Sequence, residues 1–78
     1  MAKRVIVYGA DWCVWCHRLM DFLKEHKIPF EARDVEEDNY GEEAVKKSGQ
    51  MGIPVTVIDD AVVIGFDEKK LKELLQIE

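Results

Sequence analysis

The chain carries two cysteines, Cys13 and Cys16, and they stand between a β-branched run, Val5-Ile6-Val7-Tyr8, and a segment of helical periodicity. Two thiols three residues apart at a helix start lie within disulfide reach of each other. The first also feels the unpaired N–H groups and the partial positive charge of the helix terminus. Such a place favours the thiolate, which is the reactive form. A chain of 78 residues is one domain, 1–78. A domain of this size buries only about 60 % of its unfolded surface and needs a compact core or a staple. A Cys13–Cys16 disulfide closes a loop of a few residues and constrains the unfolded chain little. The pair therefore reads as chemistry rather than as structure.

Eleven basic and sixteen acidic residues give a formal net charge of −5. No basic patch interleaved with aromatics is present, so nucleic acid is not an expected partner. Met1-Ala2-Lys3-Arg4 has the charge of a signal-peptide start, but the apolar run behind it is short and Asp11 breaks it. No stretch approaches a membrane span. The expectation is a cytoplasmic monomer with no membrane partner. In that compartment a dithiol is more often catalytic or metal-binding than structural.

Val5 to Tyr8 is apolar throughout, as in a central strand covered on both faces. Trp15, Leu19, Phe22 and Leu23 recur at helical spacing, with Cys16 and Met20 on the adjoining stripe. His17, Arg18, Asp21, Lys24 and Glu25 take the other side, which predicts a helix over 14–26 ended by Ile28-Pro29. Cys16 then points to the core and Cys13 sits at the exposed tip. Asp11 is a candidate cap for this helix, and His17 reads as solvated. The alternation over 30–35 predicts an edge strand. Asn39 and Glu42 resemble a capping box, and Glu42/Lys46 and Glu43/Lys47 are i,i+4 pairs, so a solvated helix runs to Ser48 with Gly49 as its cap. A strand over 54–58, a tight turn at Asp59-Asp60 and a partner strand over 61–64 form a hairpin. Asp67 caps a last helix that turns Leu71, Leu74 and Leu75 inward. The order is β-α-β-α-β-β-α.

Tyr8 with Cys13-Val14-Trp15-Cys16, the segment Gln50-Met51-Gly52-Ile53-Pro54 and the segment Gly65-Phe66-Asp67 follow one another along nearly the whole chain. They resemble the Tyr…CxxC signature, the Thr-Val-Pro segment and the glycine–aspartate segment of glutaredoxins, within the thioredoxin superfamily. Gly65-Phe66 equally resembles the redoxins that serve ribonucleotide reductase. The resemblance implies an α/β, thioredoxin-like fold of the glutaredoxin type, with a four-stranded mixed sheet flanked by three helices. It implies a small dithiol–disulfide oxidoreductase acting on protein or glutathione-mixed disulfides, with no tightly bound cofactor. Electrons would come from a thioredoxin-reductase-type flavoprotein or from glutathione. Cys13 would attack the substrate disulfide, and Cys16, one turn on, would resolve the mixed disulfide.

The resemblance also makes the Ile53-Pro54 bond cis, where an isolated reading of Pro54 gives a strand-opening proline. The cis bond would expose the backbone of Ile53 to an extended substrate. Trp12, in the loop before the helix, reads as a docking residue, and Trp15 is divided between burial and substrate contact. Gln50, Gly65, Phe66 and Asp67 complete the implied substrate-binding set. Three positions depart from the patterns. Val7 stands where thioredoxins carry a buried acid, Ala10 where glutaredoxins usually carry a lysine for a glutathione carboxylate, and Phe66 where a second glycine is usual.

Two other chemistries fit the cysteine spacing. Cys13 to His17 matches a CxxCH haem-attachment pattern, with Met20 or Met51 as a further ligand. A metal ion or iron–sulfur cluster would draw on Cys13, Cys16, His17 and His26, or on a dimer. Neither accounts for Pro54.

Overall fold

The structure is a computed structural model that describes residues 4–50 and 52–77. The signal-like start, Met1-Ala2-Lys3, and the candidate ligand Met51 lie outside the described residues. The elements come in the expected order: β1 (Val5–Gly9), α1 (Val14–Glu25), β2 (Glu31–Asp34), α2 (Tyr40–Ser48), β3 (Val55–Ile58), β4 (Ala61–Ile64) and α3 (Glu68–Leu75). The sheet order is β2-β1-β3-β4, with β1 parallel to β2 and antiparallel to β3, and β4 antiparallel to β3.

The apolar run in β1 is central because it has a layer to meet on each face. Val5 and Val7 pack with Leu19, Phe22 and Leu23 of α1, Leu71 of α3, and Ile58 and Val63. Ile6 and Tyr8 pack on the other face with Val55, Val57 and Ala44 of α2. The charged strand β2 takes an outer position, as its alternation predicts. No helix is long and apolar enough to cross a membrane among the described residues.

The element ends bring three corrections. Asp11 does not cap α1. The Cys13 N–H closes a turn on the Ala10 carbonyl at 3.1 Å, and Cys13 rather than Asp11 is the N-cap of the helix that starts at Val14. Asn39 makes no side-chain cap bond to α2, because its φ of −103° and ψ of 18° lie outside the extended conformation from which caps reach back. Glu43 does not serve Lys47. It accepts from Arg33 at 2.7 Å and from the Tyr8 hydroxyl at 2.9 Å, tying α2 to β2 and β1.

The other ends follow the sequence. At the end of α1, Lys27 takes a φ of 57° and the Ile28 N–H reaches back to the Leu23 carbonyl at 2.9 Å, a Schellman-type stop. Gly49 ends α2 at a φ of 76°. Asp67 caps α3 by accepting from the Lys70 N–H at 3.2 Å.

Candidate active site

Cys13 has extended backbone angles, and its sulfur accepts the Cys16 N–H at 3.2 Å. Ser, Thr, Asp and Asn usually fill this N-cap role through oxygen. A sulfur in that place meets a donor that strengthens when the sulfur is an anion, reinforced by the helix dipole. The helix-start reading of Cys13 is therefore realised, but its exposure is not. Cys13 is only 8 % exposed. Ala10, Cys13 and Cys16 form a cluster against which Met20, Val35 and Ile53 pack. Val35 and Ile53 are remote in sequence, so local periodicity could not show that they cover the tip.

Cys16 is fully buried, as its stripe predicts. Its sulfur lies over Gly9, where an added Cβ would meet it at 2.9 Å. Burial, then the hydrogen bond with Cys13, push the Cys16 thiol up from 9.0 to about 12. It stays protonated at neutral pH. Below pH 9 both folded and unfolded chains keep this proton. Above it the unfolded chain releases the proton first, so stability is lost as pH rises from 9 towards 12. The reduced protein should lose about 1 kcal/mol by pH 10 that Cys16→Ser does not lose. Urea unfolding of both proteins across this range measures the difference, and parallel curves would refute the assignment.

The Ile53-Pro54 bond is cis, as the resemblance implied. Pro54 is buried, and its carbonyl accepts the Gly65 N–H at 2.8 Å. Trp15, Ile53, Pro54, Gly65 and Phe66 line a cleft of about 260 Å³. Trp15 is exposed rather than buried, with its ring 6.4 Å from that of Phe66 and Arg18 lying 5.0 Å over it. Phe66 in turn meets Phe22 edge-on at 5.7 Å. Trp12 is exposed on the loop before α1, its indole N–H donating to Glu36 at 2.8 Å. Trp12 does not line the cleft, and neither do two other expected residues. Gln50 is exposed beyond α2 and bonds through its backbone to Ser48, and the exposed Asp67 is engaged as the α3 cap.

The sequence reading missed Gly9 and Val35, which lie against the thiols, and Glu36, which holds the Trp12 indole. The one local signal was the glycine that ends the first strand. Among the described residues no three His, Cys, Asp or Glu side chains gather where they could hold a metal ion. His17 turns its Nε2 to the Asp11 carbonyl at 2.6 Å. Among the described residues the metal-binding alternative finds no donor set to support it.

The glutaredoxin family model matches residues 5–63. The chain belongs to the glutaredoxin family. This glutaredoxin-family chain is 31 % identical over 70 residues to the glutaredoxin-like protein NrdH of Lactococcus lactis, covering 90 % of this chain and 97 % of that protein. Its fold is similar to a glutaredoxin from Archaeoglobus fulgidus, with a TM-score of 0.87 and 34 % identity over 95 % of this chain and 87 % of that one. It is also similar to the glutaredoxin-like NrdH-redoxin of Escherichia coli, with a TM-score of 0.80 and 25 % identity over 91 % and 93 % of the two chains. The protein is a glutaredoxin-like thiol–disulfide oxidoreductase with a CxxC pair. Glutaredoxin-like proteins need no tightly bound cofactor. In general they act on protein disulfides, with a reductase or glutathione as electron donor.

Proposed function

We propose that this redoxin reduces disulfides of other proteins, with Cys13 as attacking thiolate and Cys16 as resolving thiol. We further propose that it draws electrons from a thioredoxin-reductase-type flavoprotein in preference to glutathione. The observation that carries the reading is the Cys13 sulfur at the α1 N-cap, receiving the Cys16 N–H while the Cys16 thiol lies buried beside it. The Cys13 thiolate attacks one sulfur of the substrate disulfide. A mixed disulfide forms and the other substrate sulfur leaves, taking up a proton. Cys16 then attacks Cys13. The Cys13–substrate bond breaks, and the departing sulfur takes the proton that Cys16 gives up. Two electrons pass to the substrate, and a Cys13–Cys16 disulfide remains.

Among the described residues the backbone N–H and C=O of Ile53 have no hydrogen-bond partner, which suits pairing with an extended substrate segment. Trp12, Trp15, Ile53, Pro54, Gly65 and Phe66 would form the docking surface. Exposed aromatics beside a nucleophile fit a protein partner, which can cover them.

The donor reading rests on Ala10, a small buried residue where a cation would meet a glutathione carboxylate. A charge-assisted hydrogen bond of that kind is worth roughly 1.5–3 kcal/mol, about tenfold to a hundredfold in affinity. Gln50 and Asp67 resemble glutathione-binding positions, but both lie off the cleft. Phe66 fills space where the peptide would lie, and the net charge of −5 disfavours an anionic tripeptide. The Escherichia coli relative is described as having a thioredoxin-like activity profile. A dithiol of this kind suits the cytoplasm, where we place it as a single-domain monomer. A donor assay tests the reading. A thioredoxin-reductase-type flavoprotein with its reduced nicotinamide cofactor should drive reduction of a protein disulfide at least tenfold faster than low millimolar glutathione with its reductase. The reverse order would overturn it.

A further inference from the structure

Trp12 directly precedes the nucleophile and is 68 % exposed, and yet its polar edge is already engaged. Its indole N–H donates to Glu36 Oε1 at 2.8 Å, across 24 residues of chain. The backbone at Glu36 is itself tied down. Its backbone N–H donates to Asp34 Oδ1 at 2.8 Å, and the neighbouring Val35 N–H donates to the Gly9 carbonyl at 2.9 Å. Val35 also packs against the Ala10–Cys13–Cys16 cluster. The β2–α2 loop is thus tied to the end of β1 and to the thiols before it reaches out to the indole.

We infer that Glu36 is a positioning residue for disulfide reduction: it holds the Trp12 ring in one orientation beside Cys13, so that a docking protein meets a wall already in place. A free indole on an exposed loop samples several rotamers and loses that freedom when a partner covers it. The Glu36 bond removes that freedom before the encounter. It spends the indole's single donor on the protein and leaves the apolar ring face for the partner. Glu36 touches no reacting atom. Its effect therefore falls on substrate binding and leaves the sulfur chemistry alone.

The inference rests on Cys13 as attacking thiol and on a protein disulfide as substrate. Steady-state reduction of a protein disulfide by the full chain tests it. Glu36→Ala should raise KM by about two- to tenfold with kcat unchanged, the cost of ordering one freed side chain. Glu36→Gln keeps an acceptor oxygen and loses the charge, so it should restore the wild-type KM. In a Trp15→Phe background, Trp12 fluorescence anisotropy should fall in the Ala variant and recover in the Gln variant. An unchanged KM in Glu36→Ala would overturn the inference. So would a Gln variant that behaves like the Ala one, or a fall in kcat with KM unmoved. Activity that survives Cys13→Ser would instead overturn the underlying mechanism, whatever the Glu36 series shows.

Discussion

Cys13→Ser is expected to bring disulfide reduction to background and to leave no adduct to trap, whereas Cys16→Ser should stall as a mixed disulfide with its substrate. The asymmetry comes from the two positions. Cys13 is the N-cap sulfur that receives a backbone donor, and Cys16 is wholly buried and meets little beyond Cys13 and its apolar neighbours. A hydroxyl at 13 can still cap the helix, so the loss reports chemistry rather than unfolding. Intact-mass spectrometry after mixing each variant with a protein disulfide checks the outcome. The Cys16→Ser protein should gain the mass of the substrate chain and release it on addition of a strong dithiol. A stable adduct on Cys16 in the Cys13→Ser variant would reverse the assignment.

Gly9→Ala should damage both fold and turnover. A methyl at this position would lie 2.9 Å from the Cys16 sulfur and 3.0 Å from its Cβ. Strand and helix are both packed on the core, so neither can retreat freely. Overpacking of this kind costs about 1–3 kcal/mol, or a fall of about 4–8 °C in Tm for each kcal/mol in a domain of this size. The same push moves Cys16 relative to Cys13, so the mixed disulfide should persist longer than in the wild type. Gly49→Ala is the control. It faces open space but carries a φ of 76°, so it should cost about 1–2 kcal/mol through backbone strain and leave the lifetime of the mixed disulfide unaltered. Equal lifetimes in the two variants would show that Gly9 does not set the position of Cys16.

The order and type of the elements were readable because each rests on local signals. Examples are the unbroken apolar run of β1, the stripe of Leu19, Phe22 and Leu23, and the cap at Asp67. The errors fall where contacts between distant segments decide. Asn39 and Glu42 have the letters of a capping box, but the backbone at Asn39 does not take the cap's shape. Glu43 had Lys47 four residues on, yet it turned to Arg33 and Tyr8, which the sheet brings to the same face. Cys13 was legible as a helix start and illegible as a nearly closed site, because Val35 and Ile53 arrive from other parts of the chain. The cis bond at Pro54 was legible only through family resemblance, since an isolated X–Pro bond gives no such sign.

The near-closure of Cys13 separates how reactive this sulfur is from how often it is struck. A thiolate on open surface is accessible to every oxidant in solution. A sulfur with 8 % of its residue's surface in the open is reached by few of those collisions. Peroxide and other small diffusing oxidants have no shape with which to improve their odds. A partner that seats itself against the surrounding aromatics does, because docking converts a rare random approach into a held one. The walls around the sulfur thus act as a filter on traffic. They leave little of the dithiol open to the bulk, so under the proposed mechanism a fitted contact is the favoured route for its electrons.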